Sequence, residues 1–372
     1  MCENNCAIMA YMMFSKKEDD KLILLDELLE TTIQENASDL HLTVGVRPTI
    51  RVNGNLISIG TEKLNPADTE KFAREILGND FEKYMKIGEM NASYSMPGLG
   101  RFRVNVFKQR GSHALAFRVV GIKVPTLDNL NLPCVLKELA LKKKGIVLVT
   151  GPAGSGKSTT LAAMINEINM NRAEHIITLE DPIEFLHKHN KSIINQREIG
   201  SDSLNYKNAI KAALREDPDV ILVGEMTDLD TISVAMTAAE TGHLVFSTLH
   251  TMGAQKTIDK IIDIFPPYQQ QQIRIQLSGV VSGIVSQQLI PRADEKGRTA
   301  ALEIMVSTPS IQDMIREGKT CQIESSIQTG SKYGMKTMDM SLEELYRKGI
   351  ISYDSAISYS VDKNMLQKMI QL

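Results

Sequence analysis

The chain has 372 residues and a net charge of −3, long enough for two hydrophobic cores and too near neutral for a general nucleic-acid binder. No apolar stretch approaches the roughly 18 residues that cross a bilayer, and the start, with Glu3 and no basic run, is not a secretory signal. Cys2, Cys6, Cys134 and Cys321 form no C-x-x-C pair, which argues against a zinc site and for reduced thiols in a cytosolic protein.

Residues 1–20 read as a disordered leader that ends in the charged run K-K-E-D-D. Helical apolar spacing begins at Leu22 and predicts a helix running to about Asn36. Short alternating runs at 39–44, 48–52 and 56–59 predict strands, with Asn53-Gly54 as a hairpin signal. A helical pair over about 66–87 follows, then strands at 92–95, 101–107 and 113–119. These elements predict a compact α+β domain over 21–125.

From 126 to 372 the pattern becomes strand and helix in alternation, which predicts a parallel sheet with helices on both faces. Its first strand, 146–149, precedes the run G-P-A-G-S-G-K-S-T over 151–159, and a helix-forming segment follows. Strand, glycine loop and helix form a phosphate site: converging backbone N–H groups and the helix N-terminus face an anion. Gly151, Gly154, Ser155, Gly156, Lys157, Ser158 and Thr159 are the binding candidates. Lys157 is assigned to the β- and γ-phosphates of a nucleoside triphosphate, and Ser158 to Mg²⁺.

Later strands place further polar groups at their carboxyl ends, where ligands sit in parallel α/β sheets. Strand 176–179 leads to Glu180-Asp181, strand 220–223 to Gly224-Glu225, and strand 244–247 to Thr248 and His250. Glu225 is the candidate to orient or deprotonate an attacking water. Glu180 and Asp181 are candidates to position Mg²⁺-bound water, and the sequence leaves open which one points inward. His243 and His250 are candidates to hydrogen-bond the γ-phosphate. No arginine lies in these four segments, so positive charge for the transition state must come from elsewhere, such as another subunit. Arg101 and Arg103 share one strand face and Arg118 lies on the next strand; such residues equally suit acidic neighbours within their own domain. After Pro266-Pro267 helices are expected to dominate, with Gln269–Gln272 on one of them.

Several stretches together resemble the secretion-superfamily ATPases, and within them the PilT-type retraction ATPases of type IV pili. They are S-D-L-H at 38–41, R-F-R-V-N at 101–105, the phosphate loop, and the acidic box L-E-D-P-I-E at 179–184. The atypical Walker B segment at 215–226, the His box at 239–251, R-E-G-K-T at 316–320 and Q-T-G at 328–330 complete the match, over about 21–350. The resemblance implies a PAS-like N-terminal domain, a RecA-like P-loop ATPase domain and a homo-hexamer. It implies that Arg101, Arg103 and Arg118 reach the phosphates, that Glu225 is the catalytic acid, and that Glu180 is an accessory acid for Mg²⁺ and water. It further implies a cytoplasmic motor, peripheral at the inner face of the cell membrane, that acts on the pilus platform protein, with a second pilus ATPase as a further partner and no nucleic acid. Neither the extra N-terminal domain nor the four-cysteine element of the extension and secretion branches is expected here.

Three positions depart from the family pattern. Ala153 stands for the usual Thr in the loop, and Thr227 stands for the usual Arg after Glu225. The run P-S-I-Q-D-M-I at 309–315 replaces the A-I-R-N-L motif of retraction, with Gln312 for its arginine and Asp313 for its asparagine. Two alternatives accompany this reading: an accessory retraction ATPase with weak autonomous turnover, and a RecA-like motor acting on DNA.

Overall fold

A computed structural model describes residues 24–96, 98–121 and 124–371, so the leader expected over 1–20 lies outside the described residues. The chain divides into two compact units, one up to Val120 and one from Gly121.

In the first unit α1 (Leu25–Gln34) precedes strands β1 (Asp39–Thr43), β2 (Thr49–Val52) and β3 (Asn55–Ser58). Helices α2 (Pro66–Leu77) and α3 (Phe81–Ile87) follow, then β4 (Glu89–Met96), β5 (Gly100–Gln109) and β6 (Ser112–Val119). The strands form one sheet of order β3-β2-β1-β6-β5-β4, antiparallel at every pairing. Asn53 and Gly54 take φ of 51° and 85°, the left-handed pair that a two-residue hairpin turn requires. Asn65 caps α2 by accepting from Asp68 N at 3.0 Å, while Asp68 Oδ2 accepts from Asn65 N at 2.8 Å, so two otherwise orphaned donors are satisfied. Alternation along β5 sends Phe102, Val104 and Val106 into the core with Leu29, Phe72 and Tyr84, and turns Arg101 and Arg103 to the other face. Arg51, Asp39, Arg118, Arg103 and Ser93 pair in register as one row across that face.

In the second unit α4 (Val135–Ala140) and β7 (Gly145–Thr150) precede α5 (Lys157–Asn171), β8 (His175–Glu180), β9 (Ile193–Glu198) and α6 (Tyr206–Ala213). Next come β10 (Val220–Val223), α7 (Leu229–Glu240), β11 (Leu244–Leu249), α8 (Ala254–Asp263) and α9 (Pro267–Val280). Strands β12 (Val281–Pro291) and β13 (Arg298–Val306) are followed by α10 (Pro309–Arg316), α11 (Ile323–Thr329), α12 (Met338–Arg347), α13 (Tyr353–Tyr359) and α14 (Lys363–Gln371). The sheet runs β13-β12-β7-β11-β10-β8-β9, parallel except at β12–β13. Its central strands are buried on both sides, hence their unbroken apolar runs. Ile146 and Leu148 of β7 enter a core with Ile232 of α7 and Ile258 of α8. Val147 and Val149 enter the opposite core with Leu136 of α4 and Leu161 and Ile165 of α5.

After Pro266 helices dominate as expected, from α9 to α14, but β12 and β13 first extend the sheet beside β7. The strands that the sequence pattern does not reveal include β12 and the edge strand β9 beyond β8. Both strands mix polar with apolar residues, as in the run S-Q-Q at 286–288 and N-Q-R at 195–197, so neither shows the apolar block of β7 or β10. Among the described residues, no helix is long and apolar enough to cross a membrane.

Candidate active site

The four parallel strands β7, β8, β10 and β11 deliver their carboxyl ends to one edge of the second unit. A cavity of about 330 Å³ lies there, lined by Gly154, Lys157 and Ser158 of the loop, Glu180, Asp181 and Glu184 after β8, Gly224 and Glu225 after β10, and Thr248 and His250 after β11. The loop's conformation depends on glycine. Gly156, at the start of α5, has φ +87°, and a Cβ there would lie 2.8 Å from Gln287 Nε2. At Gly151 a Cβ would lie 2.2 Å from the backbone oxygen of Gln287.

Lys157 is buried and folds back onto its own loop, donating to Gly151 O and Pro152 O, each at 2.9 Å. Its Nζ also lies 3.5 Å from His250 Nδ1. An ammonium group has donors only, so Nδ1 is the acceptor and the ring proton sits on Nε2. That nitrogen is 3.0 Å from Glu225 Oε1 and donates to it. Lys157, His250 and Glu225 therefore form one hydrogen-bonded run from the loop to the acid after β10. Burial pulls the Lys157 pKa down, against the opposing pull of Glu225 and Glu184. The ammonium thus lacks a full counter-charge and is suited to meet an anion.

Glu180 and Asp181 both line the cavity, and the peptide bond between Asp181 and Pro182 is cis. Burial pushes the Glu180 carboxyl above the usual glutamate range, although its Oε1 accepts from Thr178 Oγ1 at 2.6 Å and Gln196 Nε2 at 3.1 Å. Tyr206, at the first position of α6, brings its phenol beside the turn after β10: a Cβ on Gly224 would lie 2.6 Å from Tyr206 Oη. Burial first, then Asp181, Glu225 and Glu180, push that phenol's pKa up, so it stays a donor at neutral pH. Burial lowers His187, another lining residue, to about 4.

The structure corrects the expectation for His243. This residue sits immediately before β11 while His250 sits immediately after it, so a strand of roughly 20 Å separates them. His243 donates from Nδ1 to Ala238 O at 2.8 Å and closes the turn after α7 at the amino edge of the sheet. The arginines lie in the first unit, where Arg118 Nε meets Asp39 Oδ1 at 3.0 Å and Arg101 Nη1 donates to Ser95 Oγ at 3.1 Å. The local-partner alternative therefore describes Arg118 here, although its side chain remains 71% exposed. Arg197 reaches the sheet's carboxyl edge at the end of β9 but is paired with Glu216 at 2.9 Å. Sequence reasoning missed Glu184, His187, Tyr206, Gln196 and Gln287. Only Glu184 carried a signal, as the last acid of the run E-D-P-I-E.

A glycine loop with its lysine, followed by carboxylates at the ends of two neighbouring strands, defines a P-loop nucleoside triphosphatase. Residues 128–349 match the family model described as Type II/IV secretion system protein. The chain is 46% identical over 336 residues to the type IV pilus retractation ATPase PilT of Pseudomonas aeruginosa, covering 89% of this chain and 96% of that one. It is 38% identical over 348 residues to the type IV pilus ATPase PilU of the same organism, covering 93% and 91%. The crystal structure of the pilus retraction motor PilT with bound ADP matches at a TM-score of 0.84 and 45% identity, over 93% of this chain and 99% of that one. The chain belongs to the type II/IV secretion ATPase family, on its PilT-type branch. It is an ATPase with the expected fold, an N-terminal α+β part and a RecA-like part.

Proposed function

We propose that this chain is a homo-hexameric motor that spends ATP to drive type IV pilus retraction, working at the cytoplasmic face of the membrane on the pilus platform protein. One observation carries the catalytic part: Lys157 and Ser158 share a cavity with Glu180 and Glu225. The loop N–H groups and Lys157 hold the β- and γ-phosphates, and Lys157 exchanges its carbonyl partners for phosphate oxygens. Ser155 suits the same role, since its buried hydroxyl has no hydrogen-bond partner among the described residues. Glu225 takes the proton of a water whose oxygen attacks the γ-phosphorus, the bond to the bridging oxygen breaks, and ADP and phosphate leave. His250 holds the Glu225 carboxylate through Nε2. Mg²⁺ fits the site because Glu180 faces the cavity with only neutral partners, and its charged form becomes favourable beside a cation. Ser158 and Glu180 would hold that ion, which would neutralise charge on the phosphate oxygens. Arg101, Arg103 and Arg118 supply further positive charge in the assembled ring, a role that rests on family resemblance.

The test is the steady-state phosphate release of the purified chain, its native mass, and its ability to restore twitching to cells that lack their retraction ATPase. Turnover by a six-subunit particle that restores twitching supports the proposal. Turnover without restored twitching would refute the assignment to retraction. Nucleotide binding with negligible turnover would move it to the accessory ATPase, where Thr227, exposed two residues after Glu225, becomes the first position to restore to arginine.

A further inference from the structure

The strand β12 sends one side chain into the phosphate loop from behind. Gln287 is 2% exposed, and both of its polar ends are engaged there. Its Nε2 donates to Ser155 O at 2.6 Å, and its Oε1 accepts from Thr160 Oγ1 at 2.7 Å. The fit is close enough that a Cβ on Gly151 or Gly156 would collide with Gln287, at its backbone oxygen or at Nε2 respectively. The strand itself is well anchored. It runs parallel to β7 with Ser286 opposite Thr150, and Ser286 Oγ accepts from Gly253 N at 2.9 Å. Farther along, Ile290 enters a core with Leu342 and Leu366.

An anion nest forms only when successive N–H groups point inward, so the intervening carbonyls must point outward. In a trans peptide the C=O and the following N–H point in opposite directions. Holding Ser155 C=O against β12 therefore turns the Gly156 N–H away from β12, toward the loop's interior. The Thr160 bond fixes the first turn of α5 to the same amide. We infer that Gln287 is a positioning residue that sets the orientation of the Ser155–Gly156 peptide and the start of α5 for nucleotide phosphates. This inference rests on the reading that the 151–159 loop holds those phosphates.

The test is a titration of the full-length protein with fluorescent mant-ADP and Mg²⁺, with the melting temperature taken on the same preparation. Gln287→Met keeps the volume and removes both bonds, while Gln287→Glu keeps the acceptor for Thr160 and sets an oxygen against Ser155 O. Both are expected to bind about tenfold more weakly or worse, because a buried carbonyl loses its donor. Thr160→Val, which spares that carbonyl, is expected to lose less than about threefold. A purely structural role would lower the melting temperature and leave the affinity of the folded protein unchanged. Should the methionine variant not fold, Gln287→Asn has the same amide one methylene short and is expected to lose affinity likewise. Wild-type affinity in folded Gln287→Met or Gln287→Asn would overturn the inference. Lys157→Ala separates the two readings. Retained binding there refutes the phosphate site itself, whereas abolished binding there with wild-type affinity in Gln287→Met refutes only the role of Gln287.

Discussion

Replacing Glu225 by glutamine isolates proton transfer from everything else the residue does. Oε1 accepts the proton on His250 Nε2 at 3.0 Å, and a glutamine amide keeps an acceptor oxygen at that position. The run from Lys157 through His250 therefore persists, and stability should change by no more than about 1 kcal/mol. Nucleotide affinity should hold or tighten slightly, because one negative charge leaves a cavity that accepts a polyanion. The amide cannot take a proton from water. A positioned general base contributes about 10²- to 10⁴-fold, or roughly 3–5 kcal/mol of barrier, so kcat should fall at least about a hundredfold. The assay is phosphate release at saturating ATP, with a mant-ATP titration on the same preparation. Turnover at the wild-type rate would refute the assignment of Glu225 as base. A large loss of affinity with kcat intact would make the residue a binding group instead.

The contact between Gly224 and Tyr206 gives a double-mutant prediction: Gly224→Ala should destabilise by about 1–3 kcal/mol through overpacking, and Tyr206→Phe should relieve part of that by removing the oxygen a Cβ would meet at 2.6 Å. Additive melting temperatures across the cycle would show that the two do not touch. For His187, whose pKa falls from 6.5 to about 4, stability is fully present above pH 6.5 and declines as pH falls toward about 4. The difference amounts to at most roughly 3 kcal/mol, and equal melting-temperature profiles for wild type and His187→Gln over this range would contradict it. Rings mixed from Arg101→Ala and Glu225→Gln subunits should regain phosphate release that neither variant shows alone, if Arg101 acts between subunits. Silence from mixed rings whose composition is verified by native mass would count against action in trans.

The site's framework was legible because its parts are local. Each of β7, β10 and β11 is a short apolar run whose last residues are chemically distinctive, so strand and functional group are read together. His243 was misread because a histidine on either side of a six-residue strand looks equivalent in a motif, while the strand's length puts the two at opposite edges of the sheet. Gln287 was illegible for a different reason. Its partners, Ser155 and Thr160, are 132 and 127 residues away in sequence, and nothing in the run S-Q-Q separates an amide that clamps a loop from one facing water. The altered motif at 309–315 shows a third limit. Its charge reversal reads as a change of surface sign, but in α10 Asp313 pairs with Arg316 at 2.8 Å, both half exposed. Such a pair contributes little to stability, and it leaves that turn of the helix near neutral.

The charges around the cavity determine what must join them before hydrolysis can proceed. Glu180, Asp181, Glu184 and Glu225 line it, against Lys157 as its single lysine or arginine among the described residues. The start of α5 adds about half a positive charge through its dipole. A triphosphate brings several more negative charges into the same volume, and in a partly desolvated cleft their repulsion from four carboxylates exceeds what one ammonium offsets. Two adjustments reduce it. Burial disfavours the charged form of Glu180. A divalent ion, held by Ser158 and Glu180, would neutralise phosphate and carboxylate charge. The remaining deficit calls for positive charge that the second unit does not place in this cavity among the described residues.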